Sequence, residues 1–373
     1  MNFPRVLVNA AALAQPMGGV LRHAREVFWR AAQILEQGGG ELVWLDGMRP
    51  AAVDLHGLGQ RRQAAIPARG WLARASTESA QLALALEQAH RAGAPIQLVH
   101  TGHLPLPVGL AVPSVLLLHD LKSLSAGTAR RALGRTALAS AAREARRIVV
   151  VSQALGRELA EAVEIDPKRI LAVPHGCDHL ELLERNVSQA SPILCVAHLE
   201  ARKNLGLLLE ALAADASLPD LEIAGAARGN QRAELERSAS KLKVTLRVRF
   251  LGEQNDAGLA GLYSRARALV LPSLREGFGL PILEAQRAGV PVAHARSPVL
   301  AEVAGPDAEE FDPHDAKDCA RALVRACHMT PRRIKAARAR AQTFTWQRSA
   351  NGLVDAWLGA REIVEGPAGW TSG

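Results

Sequence analysis

The sequence predicts an α/β protein built of two doubly wound parallel-sheet domains. Three observations carry this. Short, mainly apolar runs recur along the chain, at 6–8, 42–45, 96–99, 114–118, 148–151, 170–173, 192–196, 221–224, 248–251 and 268–271, the last with no polar alternation. That is the pattern of strands buried on both faces of a parallel sheet. Stretches of helical periodicity separate them, which makes repeated strand–helix units. With 373 residues the chain is longer than one core usually serves, so two domains are expected. The boundaries read 1–187, 188–345 and a last segment 346–373. The polar stretch from Asn186 to Pro192 serves as the linker.

In the first half, the strand at 6–8 is followed by Gly18 and Gly19 and then a helix over 20–36. A strand, a glycine loop and a helix bring backbone N–H groups toward a ligand. Gly38, Gly39 and Gly40 end the helix before the strand at 42–45. Residues 47–75, rich in Gly, Pro, Ala and Arg, read as a long loop. A helix over 76–91 is capped at Ser76 or Thr77. The run 114–118 ends in His119 and Asp120, at the carboxyl edge of the sheet where α/β proteins place their sites. The helix over 128–147 carries Arg130, Arg131, Arg135, Arg143, Arg146 and Arg147. Such a face either meets an anionic membrane or is simply solvated, and both readings stay open. Ser152 caps the next helix. The strand at 170–173 closes the first sheet before Pro174, His175, Gly176, Cys177 and Asp178.

The second half begins with the strand at 192–196, then Ala197, His198, Arg202 and Lys203, with Asn204 as the cap of a helix. Two adjacent cations at a helix N-terminus suit a diphosphate. A helix over 259–266 leads into the strand at 268–271, the centre of the reading. Gly277, Phe278 and Gly279 make a turn after it. Pro281 opens a helix, where its missing N–H costs nothing, and Gly289 stops it. Glu276 lies in the loop and Glu284 in the first turn of that helix. A carboxylate there accepts two hydrogen bonds from a vicinal diol such as a ribose. Short strands at 290–293 and 309–311, helices at 316–327 and 331–342, and a last helix over 344–362 complete the chain. Trp346, Leu353 and Trp357 are expected in the core, and 366–373 as a loose tail.

The segment from Glu276 through Gly277, Phe278, Gly279 and Leu280 to Glu284, with Gly289 and Pro291 after it, resembles the E-x7-E motif of retaining glycosyltransferases of family 4. The resemblance runs from about residue 114 to 360 and is most specific between 193 and 313. It implies the GT-B fold, two Rossmann-like domains facing a central cleft, with the last helix crossing back to the first domain. It also implies transfer of a hexose, mannose among the candidates, from GDP or UDP to a glycan or lipid-linked acceptor. The acceptor belongs to polysaccharide or glycolipid assembly. By that resemblance Glu276 faces the donor sugar and phosphate, Glu284 holds the ribose, Lys203 and Arg202 hold the diphosphate, and His119 contacts the sugar. Gly18, Gly19, His198, Gly277, Phe278, Gly279 and Leu280 line the nucleotide sugar. The chain departs from the family's pattern in lacking a third glycine after Gly19, in Ala197 for Gly, and in His198 where some members have an Arg. His175 stands for the usual Asn.

Composition narrows the alternatives. Aromatics make up 3%, too few for a base-stacking platform, so nucleic acid is not an expected partner. The charge of +8 suits anionic partners, including peripheral contact with an anionic membrane, or reflects an Arg-rich composition. Cys177, Cys195, Cys319 and Cys327 show no C-x-x-C spacing and read as free thiols of a reducing compartment. The N-terminal segment reads as a strand and loop rather than a leader, and no run is long enough to span a bilayer. The cytoplasm is therefore expected. No Asp-x-Asp motif ends a strand, so neither an essential metal nor a cofactor is expected. Another GT-B activity, such as a nucleotide-sugar epimerase or a phosphorylase, and a non-catalytic binder of anionic partners are the alternatives.

Overall fold

The computed structural model describes residues 3–14, 18–67, 71–104, 106–121 and 128–362. The chain forms two units: Met1–His175 with Trp346–Gly373, and Gly176–Thr345.

The first unit holds seven strands: β1 (Arg5–Asn9), β2 (Glu41–Asp46), β3 (Gln60–Gln63), β4 (Leu98–Thr101), β5 (Ser114–Leu118), β6 (Arg147–Val150) and β7 (Ile170–Ala172). All pair in parallel, in the order β3-β2-β1-β4-β5-β6-β7. β1 is central, with Val6 opposite Leu42 on one side and Leu98 on the other. Its residues from Val6 to Asn9 are buried, as a strand covered on both faces must be. The helices of this unit are α1 (Gly19–Gln37), α2 (Trp71–Arg91), α3 (Thr128–Glu144), α4 (Gln153–Val163) and, from the far end of the chain, α12 (Trp346–Glu362). Ser152 caps α4 as expected, its Oγ accepting from the Leu155 N–H at 3.1 Å. α1 buries His23, Ala24, Val27, Phe28, Ala31, Ala32 and Leu35, a stripe at three- and four-residue spacing. It packs against α12, whose Trp346, Leu353 and Trp357 are fully buried.

The second unit holds β8 (Ile193–Val196), β9 (Leu221–Ala224), β10 (Val248–Gly252), β11 (Ala268–Leu271), β12 (Val292–Ala295) and β13 (Glu309–Phe311). The order is β10-β9-β8-β11-β12-β13, again all parallel. Its helices are α5 (Leu205–Ala214), α6 (Gln231–Lys241), α7 (Asp256–Arg265), α8 (Leu280–Arg287), α9 (Pro298–Ala304), α10 (Ala316–Cys327) and α11 (Pro331–Ala341). The expected fold class, two parallel-sheet α/β domains, is the one observed.

Several local expectations change. Residues 47–75 are not loop throughout, because β3 pairs with β2 as an edge strand, Val43 opposite Gln60. Its polar sequence carries no apolar signal because an edge needs none. The polar stretch 186–192 lies inside the second unit. The Asn186 N–H donates to Ser264 O at 2.9 Å, and Arg185 Nη1 donates to Tyr263 O at 2.7 Å. The chain instead leaves the first unit after His175. The helix α6, with only Leu235 and Ala239 buried, was not anticipated from its polar sequence. The expected tail 366–373 and the side chains of Ser76, Arg130 and Arg131 lie outside the described residues. Among the described residues, no helix is long and apolar enough to cross a membrane. The four cysteines are free, and burial pushes the Cys177 and Cys195 thiols up to about 12, which leaves them inert.

Histidines gather beneath the carboxyl edge of the first sheet. His23 and His175 share a hydrogen bond between their Nδ1 atoms at 3.1 Å. The His119 ring stacks on His175 and meets His23 edge-on. Trp357 Nε1 donates to His100 Nδ1 at 3.2 Å, so the neutral His100 ring carries its proton on Nε2. Burial first, and neighbouring histidines second, hold His23 and His175 well below the usual range. Burial brings His100 to about 3 and His119 to about 4, with Asp120 partly opposing the latter. The unfolded chain binds protons in this window that the folded unit does not, so stability falls as pH drops below about 6.5.

All six tryptophans belong to the first unit's segments, so tryptophan fluorescence reports that unit alone. Its urea midpoint is expected to hold above about pH 6.5 and to decline steadily toward about pH 4. His175→Asn removes one of the buried bases and is expected to flatten that decline; an equally steep decline would contradict the assignment.

Candidate functional site

The site is built at the carboxyl end of β11. The strand is fully buried, and Pro272 and Ser273 end it. The chain then turns through Gly277, Phe278 and Gly279 into α8. Gly279 adopts φ 92° and ψ 45°, a left-handed conformation that a side chain resists, and a Cβ there would lie 2.8 Å from Leu300 Cδ2. The turn is therefore specific to glycine at this position. Phe278 is buried, so its ring braces the elbow from inside the fold.

The second half of the site comes from the turn after β8. A short 3-10 turn, Ala201–Lys203, ends at Asn204, which is left-handed with φ 54°. Asn204 does not cap α5 with its side chain as expected. Asn tolerates the left-handed region, and its Nδ2 donates instead to Pro313 O at 2.8 Å, tying this turn to the segment after β13. The two halves are stitched by backbone: Leu274 N–H donates to Arg202 O at 2.9 Å, and Arg202 Nη1 donates to Arg275 O at 3.3 Å.

These ties bring Arg202, Lys203 and Glu276 into direct contact. Glu276 Oε1 accepts from Lys203 Nζ and from Ser273 Oγ, the latter at 2.8 Å. Its Oε2 lies 3.5 Å from Arg202 Nη1. Arg202 Nε also donates to Glu200 Oε2 at 2.8 Å, and Arg228 Nε stands 3.9 Å from Glu200 Oε1. Lys203 is buried and Glu276 nearly so, which makes each charge dependent on the other. Three cations, Arg202, Lys203 and Arg228, are thus neutralised in part by two carboxylates, Glu276 and Glu200, and the site is able to receive a polyanion that competes for the same cations.

His198 is half-buried beside this network, and its Nδ1 has no hydrogen-bond partner. Burial first, and then the charge of Arg228, lower its pKa, so the ring is neutral at pH 7. Arg228, on the loop after β9, carries the fixed charge at this point. It was not singled out from the sequence, where a lone Arg outside any motif gives no signal.

Glu284 departs from expectation in position and surroundings. The helix begins at Leu280, with Pro281 second, so Glu284 is one turn inside α8 rather than in its first turn. The residue is only 4% exposed. Oε2 accepts from the Tyr263 hydroxyl at 2.6 Å, and Oε1 lies 3.1 Å from His179 Nε2. Neither partner was legible beforehand, since Tyr263 reads as an ordinary helix residue and His179 follows a motif of unassigned role.

Gly18, Gly19 and His119 belong to the first unit. Gly18, with φ 51° and ψ −117°, turns the chain into α1, whose first residue is Gly19. His119 follows β5 and lines a small pocket with Asn9, Val20, His23, His100 and His103. There His103 Nε2 lies 2.6 Å from the buried Glu78 carboxylate. Among the described residues, no group of three or more His, Cys, Asp or Glu is arranged to hold a metal ion.

Residues 18–180 match the family described as Glycosyltransferase Family 4, and residues 185–343 match Glycosyl transferases group 1. A D-inositol 3-phosphate glycosyltransferase of Geodermatophilus obscurus is 32% identical over 244 residues, 59% of this chain and 54% of that protein. A serotype-specific mannosyltransferase of Escherichia coli is 28% identical over 228 residues, 56% of this chain and 28% of that protein. The matches thus span about half the length of these curated relatives or less. Among solved structures, sucrose-phosphate synthase from Thermosynechococcus elongatus aligns with a TM-score of 0.75 at 18% identity, covering 97% of this chain and 100% of that one. The Anabaena protein HepE, in complex with UDP-glucose, aligns with a TM-score of 0.70 at 17% identity, covering 96% and 100%. At such identities these structures show the fold.

The elbow makes a prediction about stability. Gly279→Ala is expected to lower the urea-unfolding stability by about 1–3 kcal/mol, the cost of a side chain in the left-handed region. A midpoint unchanged by circular dichroism would contradict the role given to this glycine.

Proposed function

The chain belongs to the glycosyltransferases, family 4 across its first half and group 1 across its second, and from that premise we propose that it transfers a hexose from a nucleoside diphosphate to an acceptor hydroxyl. The observation that carries this reading is the Lys203–Glu276 contact at the glycine elbow, with Arg202 beside it. Breaking the bond between the sugar's anomeric carbon and the diphosphate oxygen leaves negative charge on the diphosphate. Two cations fixed at a partly buried site stabilise that charge more than water would, once Glu276 has given up Lys203 to the diphosphate.

In this account the diphosphate takes Lys203 and Arg202, and Glu276 turns toward the sugar. Glu284 receives the ribose. The acceptor oxygen bonds to the anomeric carbon on the face the diphosphate leaves. The acceptor's proton passes to the departing phosphate oxygen, so configuration is retained with no enzyme nucleophile. We propose a hexose as the transferred group. Mannose is supported by the relative named as a mannosyltransferase, and a uridine donor by the neighbour solved with UDP-glucose. The acceptor is proposed as a growing glycan or a lipid-linked sugar. No metal takes part in the proposed step, because the cations of the chain carry the charge.

Radiolabelled transfer from a panel of GDP- and UDP-hexoses tests the reading. Lys203→Met and Glu276→Gln are each expected to lower turnover by at least about a hundredfold, with circular dichroism spectra unchanged. Transfer is expected to persist in excess chelator. Full turnover in both variants would overturn the assignment.

A further inference from the structure

Glu284 is held from two sides by residues that the transfer reading leaves unused. Tyr263, on α7, is the only tyrosine in the chain. It is fully buried, and its hydroxyl donates to Glu284 Oε2 at 2.6 Å. Burial first, and the Glu284 charge second, raise the pKa of that hydroxyl far above its usual value, so it remains a donor throughout the working range. His179 approaches from the other direction, its Nε2 3.1 Å from Oε1 and its side chain 2% exposed. All three residues lie within the second unit.

An ionised carboxylate offers about four lone-pair sites, two on each oxygen. Tyr263 and His179 each take one, on different oxygens. That leaves each oxygen a further lone pair for a ligand's hydroxyl. Two adjacent acceptors match the two hydroxyls of a vicinal diol. An unrestrained Glu rotates among many rotamers and loses entropy on binding. One tied at both oxygens has already lost that freedom and is preorganised for the diol.

We propose that Tyr263 and His179 are positioning residues that set Glu284 to read the 2′- and 3′-hydroxyls of a ribose, so that the site selects ribonucleotides over 2′-deoxyribonucleotides. The inference rests on the nucleotide-sugar reading of the same site. It gives a role to the segment following Cys177 and Asp178, which the sequence pattern marked without explaining.

Titration calorimetry of the full chain with UDP, GDP and ADP, each beside its 2′-deoxy counterpart, tests it. The wild type is expected to bind the ribo form of its preferred nucleotide roughly tenfold more tightly than the deoxy form, the worth of one hydrogen bond to a charged group. Tyr263→Phe and His179→Ala are each expected to bring that ratio to within about twofold, with affinity for the deoxy form little changed. His179→Gln keeps an N–H donor and is expected to restore the preference. A merely structural role would weaken both forms alike and leave the ratio intact. An unchanged ratio in the folded variants overturns this inference alone; no preference in the wild type overturns it together with the ribose role given to Glu284. Failure of the wild type to bind any of the six nucleotides overturns the nucleotide reading and this inference with it. Should Tyr263→Phe not fold, His179→Ala carries the same test.

Discussion

The second unit is arranged around a single ion pair, Lys203 with Glu276. Each partner comes from a loop at the carboxyl end of a buried strand, β8 for the lysine and β11 for the glutamate. The Leu274–Arg202 backbone hydrogen bond fixes the distance between those loops. Ser273 and Arg202 hold the carboxylate from its other sides. A charge this enclosed is tolerable only while partnered. The pair therefore defines two states of the site. In the observed one the carboxylate neutralises the lysine; in the one the proposed function requires, a polyanion does, and the carboxylate is released toward the sugar.

The elements around the pair follow from this requirement. Gly279 allows the elbow to turn sharply enough for α8 to start at Leu280, which sets Glu284 one helical turn deeper. Asn204 holds the lysine turn to the segment after β13 through Pro313. The neutral ring of His198 removes a charge from the phosphate side, and Arg228 stands beside it with a permanent one. The first unit is organised differently. Its sheet edge carries histidines that burial keeps neutral, with the buried Glu78 carboxylate beside His103.

Much of this was legible in the sequence because the physics is local. Apolar runs of four or five residues separated by helical periodicity announce a parallel sheet whatever the partners are. The elbow was legible because glycine, proline and glutamate at fixed offsets encode a turn, a helix start and a charge. Other features were not local. β3 carries Gln60, Arg61, Arg62 and Gln63, a sequence that forms a strand only because β2 is there to pair with it. The Asn186 to Pro192 stretch is polar and reads as a linker. Its polarity comes from lying on the surface of the second unit, while the passage between units falls at His175 and Gly176, in a short segment that polarity does not mark. The same holds for Glu284, whose motif was visible although Tyr263 and His179 come from separate parts of the chain. Folding alone brings them to its carboxylate.

The most direct test is a crystal structure of the chain with its preferred nucleotide sugar. The account predicts a phosphate oxygen within about 3 Å of Lys203 Nζ, the Glu276 carboxylate moved off that nitrogen, and the nucleotide lying along the 277–284 elbow. A nucleotide bound elsewhere, with the Lys203–Glu276 pair still closed, would contradict it.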